Sequence, residues 1–318
     1  MPLFKRLLRG VLILVFTLFG GTQQPAAQSP VAPSSPATRS NSTNANTELL
    51  TLDLIALDKD DHAVTDLKSE ELRIFENKVE LKIETLSPAA RVPLTIGLFF
   101  DVSGSRRADS HVEEETRLVG ELLRSIWREG DTAFLVAFND RPLAVVQPTQ
   151  KLEDIHYGLK QIPGDHRGST SLYDALCSLE AEKLTAVPGR KAYAVFSDFE
   201  DNSSRNKIEN VIEVGRQAKV SIFPVILSEG FGGGVSKRVE KRSRQQAQRV
   251  AEETGGDFFV PESVKQLPAA LQRLGGELQG AYRITYVLPS AYPRPKWKSG
   301  RIKIETTREH VKLIYPKS

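Results

Sequence analysis

Residues 99–105 read FFDVSGS. Two phenylalanines run into Asp101, and Ser103 and Ser105 follow at alternate positions, with Gly104 between them to permit a tight backbone. Three oxygen-bearing side chains at the end of an apolar run admit three chemistries: a turn or helix cap, a serine nucleophile, or part of a ligand set for a hard cation. Two distant stretches bear on the choice. HRGST (166–170) delivers Thr170 just before an apolar-periodic segment, and AYAVFSD (192–198) is a second apolar run that ends in an acid, Asp198.

These groups need elements to hold them. PLTIGLFFD (93–101), TAFLVAFND (132–140), RKAYAVFSD (190–198) and VSIFPVIL (220–227) are nearly continuous apolar runs, as expected of strands buried on both faces. PLAVVQPT (142–149) and DFFVP (257–261) read as shorter strands. Helical spacing separates the runs: Val112, Val119, Leu122, Leu123 and Ile126 in one segment, then segments near 152–162, 172–184, 206–218, 237–254 and 264–280. Strands alternating with helices predict an α/β fold, a doubly wound, mostly parallel sheet covered on both faces.

In such a sheet ligands bind at the carboxyl ends of the strands. That edge collects Asp101, Ser103, Ser105, Thr170 and Asp198, two carboxylates and three hydroxyls with no cysteine or histidine. The set fits a hard divalent cation, Mg²⁺ first, with Mn²⁺ or Ca²⁺ as competitors. Two carboxylates leave little excess charge against the ion, so a partner's acidic group could complete its coordination. The rival chemistry, hydrolysis by Ser103 with Asp198 and His166, lacks the Gly-x-Ser-x-Gly elbow such a nucleophile wants.

DVSGS, GSTSLYDAL (168–176) and VFSDFEDNSS (195–204), in this order, resemble the metal-ion-dependent adhesion site of von Willebrand factor type A domains. The resemblance covers about residues 93–280 and implies a Rossmann-like fold, a non-enzymatic role, and metal ligation by Asp101, Ser103, Ser105, Thr170 and Asp198. TGGDFF (254–259) and YRITYVLP (282–289) are similar to segments of a bacterial secreted subgroup. Arg106 stands where the family often has Met, and Phe199 where Gly is common. Arg106, Phe199 and Glu200 are expected to rim the site and tune the partner, although Glu200 and Asp201 would make that rim more negative.

The flanks have a different rhythm. Residues 48–92 alternate apolar and polar in three short strands around a KDD turn (59–61) and a Glu-Asn-Lys turn, and residues 281–318 return to alternation. Three strands alone make a marginal core. Both flanks are therefore expected to pair into one small β-sandwich, with the α/β unit inserted between them. Ahead of them, Lys5, Arg6 and Arg9 precede an apolar run, Val11 to Phe19, too short to span a bilayer, and Ala26 and Ala27 follow. Residues 1–28 read as a signal peptide and 29–47 as a disordered Pro/Ser/Thr/Asn spacer.

A secreted chain, periplasmic, envelope-bound or extracellular, is the expectation, with membrane contact only through the signal peptide before cleavage. The 318 residues carry a net charge of +3 and one cysteine, Cys177, which excludes an internal disulfide and does not suggest a nucleic-acid binder. The basic stretch SKRVEKRSRQQAQRVAEE (236–253) reads as a helix with a solvated face and one buried edge of Val239, Ala247, Val250 and Ala251, Trp297 as packed on a β edge, and GFGGG (230–234) as a loop. The function expected is a protein-interaction module that engages an acidic group of a protein partner through its cation. The alternatives are a hydrolase or an envelope scaffold with a structural metal.

Overall fold

The computed structural model describes residues 48–88, 92–104, 112–162, 168–178, 189–226, 237–288 and 301–317. The expected signal peptide and spacer, Ser105, Arg106, His166, the GFGGG loop and Trp297 lie outside the described residues. Eleven strands are described: β1 (Glu48–Leu57), β2 (Leu72–Glu76), β3 (Val79–Pro88), β4 (Leu94–Asp101), β5 (Thr132–Phe138), β6 (Pro142–Thr149), β7 (Arg190–Phe196), β8 (Val220–Val225), β9 (Ala281–Leu288), β10 (Ile302–Thr306) and β11 (Lys312–Ile314). The helices are α1 (Val112–Ile126), α2 (Leu152–Leu159), α3 (Leu172–Leu176), α4 (Ile208–Ala218), α5 (Lys237–Thr254) and α6 (Leu267–Gln279).

A five-stranded sheet in the order β6-β5-β4-β7-β8 forms the centre, parallel except for the β5–β6 pair. Every residue of β4 and of β7 is buried, as their continuous apolar runs require. Alternate side chains feed opposite faces. Leu98 and Phe100 join a core covered by α1, α2 and α6, and Phe99 joins a second core with residues of α3, α4 and α5. Gly97 is required by this second layer: a Cβ there would lie 2.3 Å from the Phe134 ring, which packs with Phe99 and Tyr193. The expected strand at 257–261 shrinks to one bridge, Phe259 with Val225, in which Phe259 N–H donates to Pro224 O at 2.9 Å.

The flanks form a single antiparallel sheet, β10-β2-β3-β9-β1-β11, in place of the two stacked sheets a sandwich would need. Curling supplies what a second sheet would have supplied. The segment that follows β11 meets the other edge strand, β10, where Ile302 N–H donates to Lys317 O at 3.0 Å and Ile304 N–H donates to the Tyr315 hydroxyl at 3.0 Å. The concave face buries Leu54, Ile74, Tyr282 and Ile284. On the opposite face Ile55, Leu57, Ala281 and Ile314 join the core of α1 and α6, which fixes this sheet to the central unit.

Candidate functional site

Register places the acids. Phe100 pairs with Phe196, their rings stacked at 4.7 Å, so Asp101 and Ser197 leave the sheet side by side. Asp101 is 0 % exposed; its Oδ1 accepts the N–H of Ser103 at 2.9 Å and its Oδ2 accepts the hydroxyl of Ser197 at 2.6 Å. These two bonds orient the carboxylate and bend the chain after β4. Ser197 Oγ in turn accepts the N–H of Phe199 at 3.0 Å, and Asp198 Oδ1 accepts the N–H of Glu200 at 2.9 Å.

Thr170 is brought to this edge by three loops. Gly168, at φ +82°, has its carbonyl accept the N–H of Gly104 at 3.0 Å, tying the Thr170 segment to the Asp101 segment. A side chain at Gly168 would meet the Asp140 carboxylate at 2.6 Å. The β5–β6 turn holds both neighbours of Thr170. Asp140 Oδ1 accepts the N–H and hydroxyl of Ser169 at 2.6 and 2.7 Å, and Asn139 O accepts the N–H and hydroxyl of Ser171 at 2.8 and 2.6 Å. From the other side Asn202 Oδ1 accepts the N–H of Thr170 at 2.8 Å, while Thr170 O accepts the N–H groups of Asn202 and Ser203.

Of the expected ligands, the structure joins Asp101, Ser103, Thr170 and Asp198 through this web. All four are buried, and Ser105 is outside the described residues. Thr170 Oγ1, on a residue 1 % exposed, has no hydrogen-bond partner among the described residues. Asp198 is 3 % exposed and forms no ion pair with a described residue. A buried hydroxyl left unmated costs about 1–3 kcal/mol, and a buried carboxylate without a counter-charge costs more. A divalent cation satisfies both, so the residues present fit one.

The expected rim needs one correction. Phe199 is 0 % exposed and packs in the core of α4 and α5, so it offers no surface to a partner. It holds its place at φ +61°, a left-handed conformation costing about 1–2 kcal/mol, which burial of its ring, worth about 1.5–3 kcal/mol, offsets. Glu200 is half-buried, and burial, reinforced by Asp198, raises its carboxyl above the ordinary range.

Asp174 of α3 bonds to the loop after Asp198. Burial opposes its ionisation, but the N–H groups of Asn206 and Arg205, donating at 2.9 and 3.1 Å, hold its carboxyl below the ordinary range. It thereby ties the five-residue α3 to the loop after Asp198. Ser197, Asn202, Asn139 and Asp140 were not singled out by sequence. Their signal was positional: each lies within four residues of the end of an apolar run. A second group, Asp58, Asp60 and His62, brings three ligand atoms within 4.8 Å of one another after β1. Asp58 Oδ1 there accepts the N–H groups of Asp60 and His62, which builds the turn.

Comparison with family models and with curated proteins finds no match. Solved structures do match. Proximal thread matrix protein 1 from the mussel byssus, with a zinc-occupied MIDAS motif, is 16% identical with a TM-score of 0.50. That match covers 66% of this chain and 50% of the mussel protein, so the chain spans about half of its length. BatB from Bacteroides thetaiotaomicron is 16% identical at TM-score 0.42, covering 57% of this chain and 97% of BatB. The vWF domain of the type V pili tip protein Mfa5 from Porphyromonas gingivalis is 12% identical at 0.41, covering 58% and 94%. At this identity the likeness is one of fold: the doubly wound central sheet resembles that of a MIDAS-bearing structure, and Asp101, Thr170 and Asp198 lie at its carboxyl edge.

Proposed function

We propose that this chain is a secreted or envelope protein-interaction module whose output is binding. Asp101, Ser103, Ser105, Thr170 and Asp198 hold a divalent cation, Mg²⁺ in preference because every donor is a hard oxygen. The cation then takes an acidic group from a protein partner. The observation that carries this reading is the buried, unpartnered hydroxyl of Thr170 between the segments of Asp101 and Asp198. Among the described residues no helix is long and apolar enough to cross a membrane.

Calorimetry and thermal unfolding with Mg²⁺ test the site. Wild type should gain about 2.7 kcal/mol at a Mg²⁺ concentration near 100 times Kd, and Asp101→Ala should gain none. Unchanged Mg²⁺ affinity in Asp101→Ala overturns the assignment. Affinity capture from an envelope fraction, with and without EDTA, tests the partner: capture that EDTA leaves intact removes the cation from the interface.

A further inference from the structure

The charges of α5 are placed against its dipole. In α1 the first turn holds Glu113, Glu114 and Glu115 and the last holds Arg124, the stabilising arrangement. The first eight residues of α5 carry Lys237, Arg238, Lys241, Arg242 and Arg244 against Glu240 alone, and its last turn carries Glu252 and Glu253. Both placements oppose helix stability. Local pairing absorbs some of the charge: Arg244 meets Glu240 at 2.7 Å and Arg249 meets Glu209 at 2.9 Å. Lys237, Arg238, Lys241 and Arg242 are exposed and pair with no described carboxylate.

Their position connects them to the site. β8 runs toward the carboxyl edge of the sheet and α5 returns from it, so the basic turns lie at the edge that carries Asp101, Thr170 and Asp198. Ser243, Ala247, Val250 and Ala251 face inward, which leaves the four cations, one turn apart in pairs, on the outer side. Arg242 acts on the Tyr173 phenol, three residues beyond Thr170, opposing the rise that burial and Asp201 cause. None of the exposed large apolar side chains of the described residues belongs to α5, which argues against a membrane surface, where such a helix would insert apolar residues.

We infer that the first two turns of α5 are the second half of the partner surface, built for an acidic polypeptide segment. One carboxylate of the segment reaches the cation, and further carboxylates lie against Lys237, Arg238, Lys241 and Arg242. The inference rests on the metal reading of the site and names the partner's chemistry.

The test uses the full chain in Mg²⁺ and a fluorescent peptide of eight glutamates, with the all-glutamine peptide as control. Wild type should bind the glutamate peptide alone. The combined variant Lys237→Gln, Arg238→Gln, Lys241→Gln, Arg242→Gln should bind it about tenfold more weakly, with a shallower salt dependence and an unchanged Mg²⁺-dependent thermal shift. EDTA should weaken wild-type binding separately. Binding that EDTA weakens but the combined variant does not overturns this inference and leaves the site standing. Binding that the variant weakens and EDTA does not keeps the basic surface and overturns the metal reading. Preference for phosphatidylglycerol vesicles over the peptide overturns the polypeptide assignment in favour of a lipid surface.

Discussion

At the scale of single residues, Thr170 and Phe199 separate what the site costs from what it gains. Thr170→Val keeps the shape and removes the orphaned hydroxyl. In EDTA the variant should be as stable as wild type or more stable, by about 1 kcal/mol, while losing most of its stabilisation by Mg²⁺. Marked destabilisation in EDTA would show that the hydroxyl has a structural partner. Phe199 sets backbone strain against ring burial. Phe199→Ala keeps the unfavourable φ and loses the ring, at about 3–5 kcal/mol. Phe199→Gly loses the ring and relieves the strain, so urea unfolding should find it about 1 kcal/mol more stable than the alanine variant. The usual order, alanine above glycine, would show that the left-handed conformation is not held in solution. A buried Phe at this position also explains why it is unavailable to a partner, a point that residue type and spacing could not show, since the sequence contains no record of φ.

At the scale of elements, the β5–β6 turn positions the ligand segment. Asn139 and Asp140 hold the residues on either side of Thr170, and the two bonds from Ser169 keep the Asp140 carboxyl below its ordinary range. Groups that orient metal ligands commonly govern affinity by ten- to a hundredfold. Asp140→Ala should therefore weaken Mg²⁺ binding by roughly tenfold in calorimetry with the circular dichroism spectrum unchanged; equal affinity would make the clamp incidental. The strands behind this turn were legible because burial on both faces writes itself as uninterrupted apolar runs, and α5 was legible over its full length from apolar spacing. The clamp was not. The hydrogen bonds that Ser169 donates to Asp140 join residues 29 apart through polar groups that no periodicity marks. The 257–261 strand failed for a related reason: Phe258 and Phe259 have strand character, but only Phe259 finds a bridge partner, at the free edge beyond β8.

At the scale of the whole molecule, alternation showed that both flanks are β but not how a sheet without a second layer closes its core. The curl of six strands, and the use of the other face to dock α6, depend on contacts such as Ile55 and Ile314 that read as ordinary alternating residues. Polar contacts at the same junction add a pH dependence. Glu277 on α6 is 0 % exposed, and burial, reinforced by Asp257, pushes its carboxyl up to about 8 from an ordinary value near 4.5. Arg273 opposes this, bonding Glu277 at 3.1 Å, but it is shared with Asp61 and with Asp257, which also meets Lys312 of β11. The folded chain thus holds the Glu277 proton more tightly than the unfolded chain does. The stability this contributes is fully present below about pH 4.5 and is lost as pH rises through about 8. Carboxyls held low, such as Glu252 beside Lys317, act in the opposite sense and only in acid, so from about pH 5.5 to 8.5 the difference between wild type and a neutral variant at Glu277 reads that carboxyl alone. Across it wild-type stability should fall by at most ~1.4 kcal/mol per pH unit, on the order of a few kcal/mol in all. Glu277→Gln, neutral throughout, should fall less steeply than wild type and unfold at a higher temperature than wild type near pH 8.5. Parallel profiles for the two proteins would mean that Arg273 neutralises a Glu277 carboxylate already ionised at neutral pH, and that the junction between the curled sheet and α6 carries no proton-linked stability.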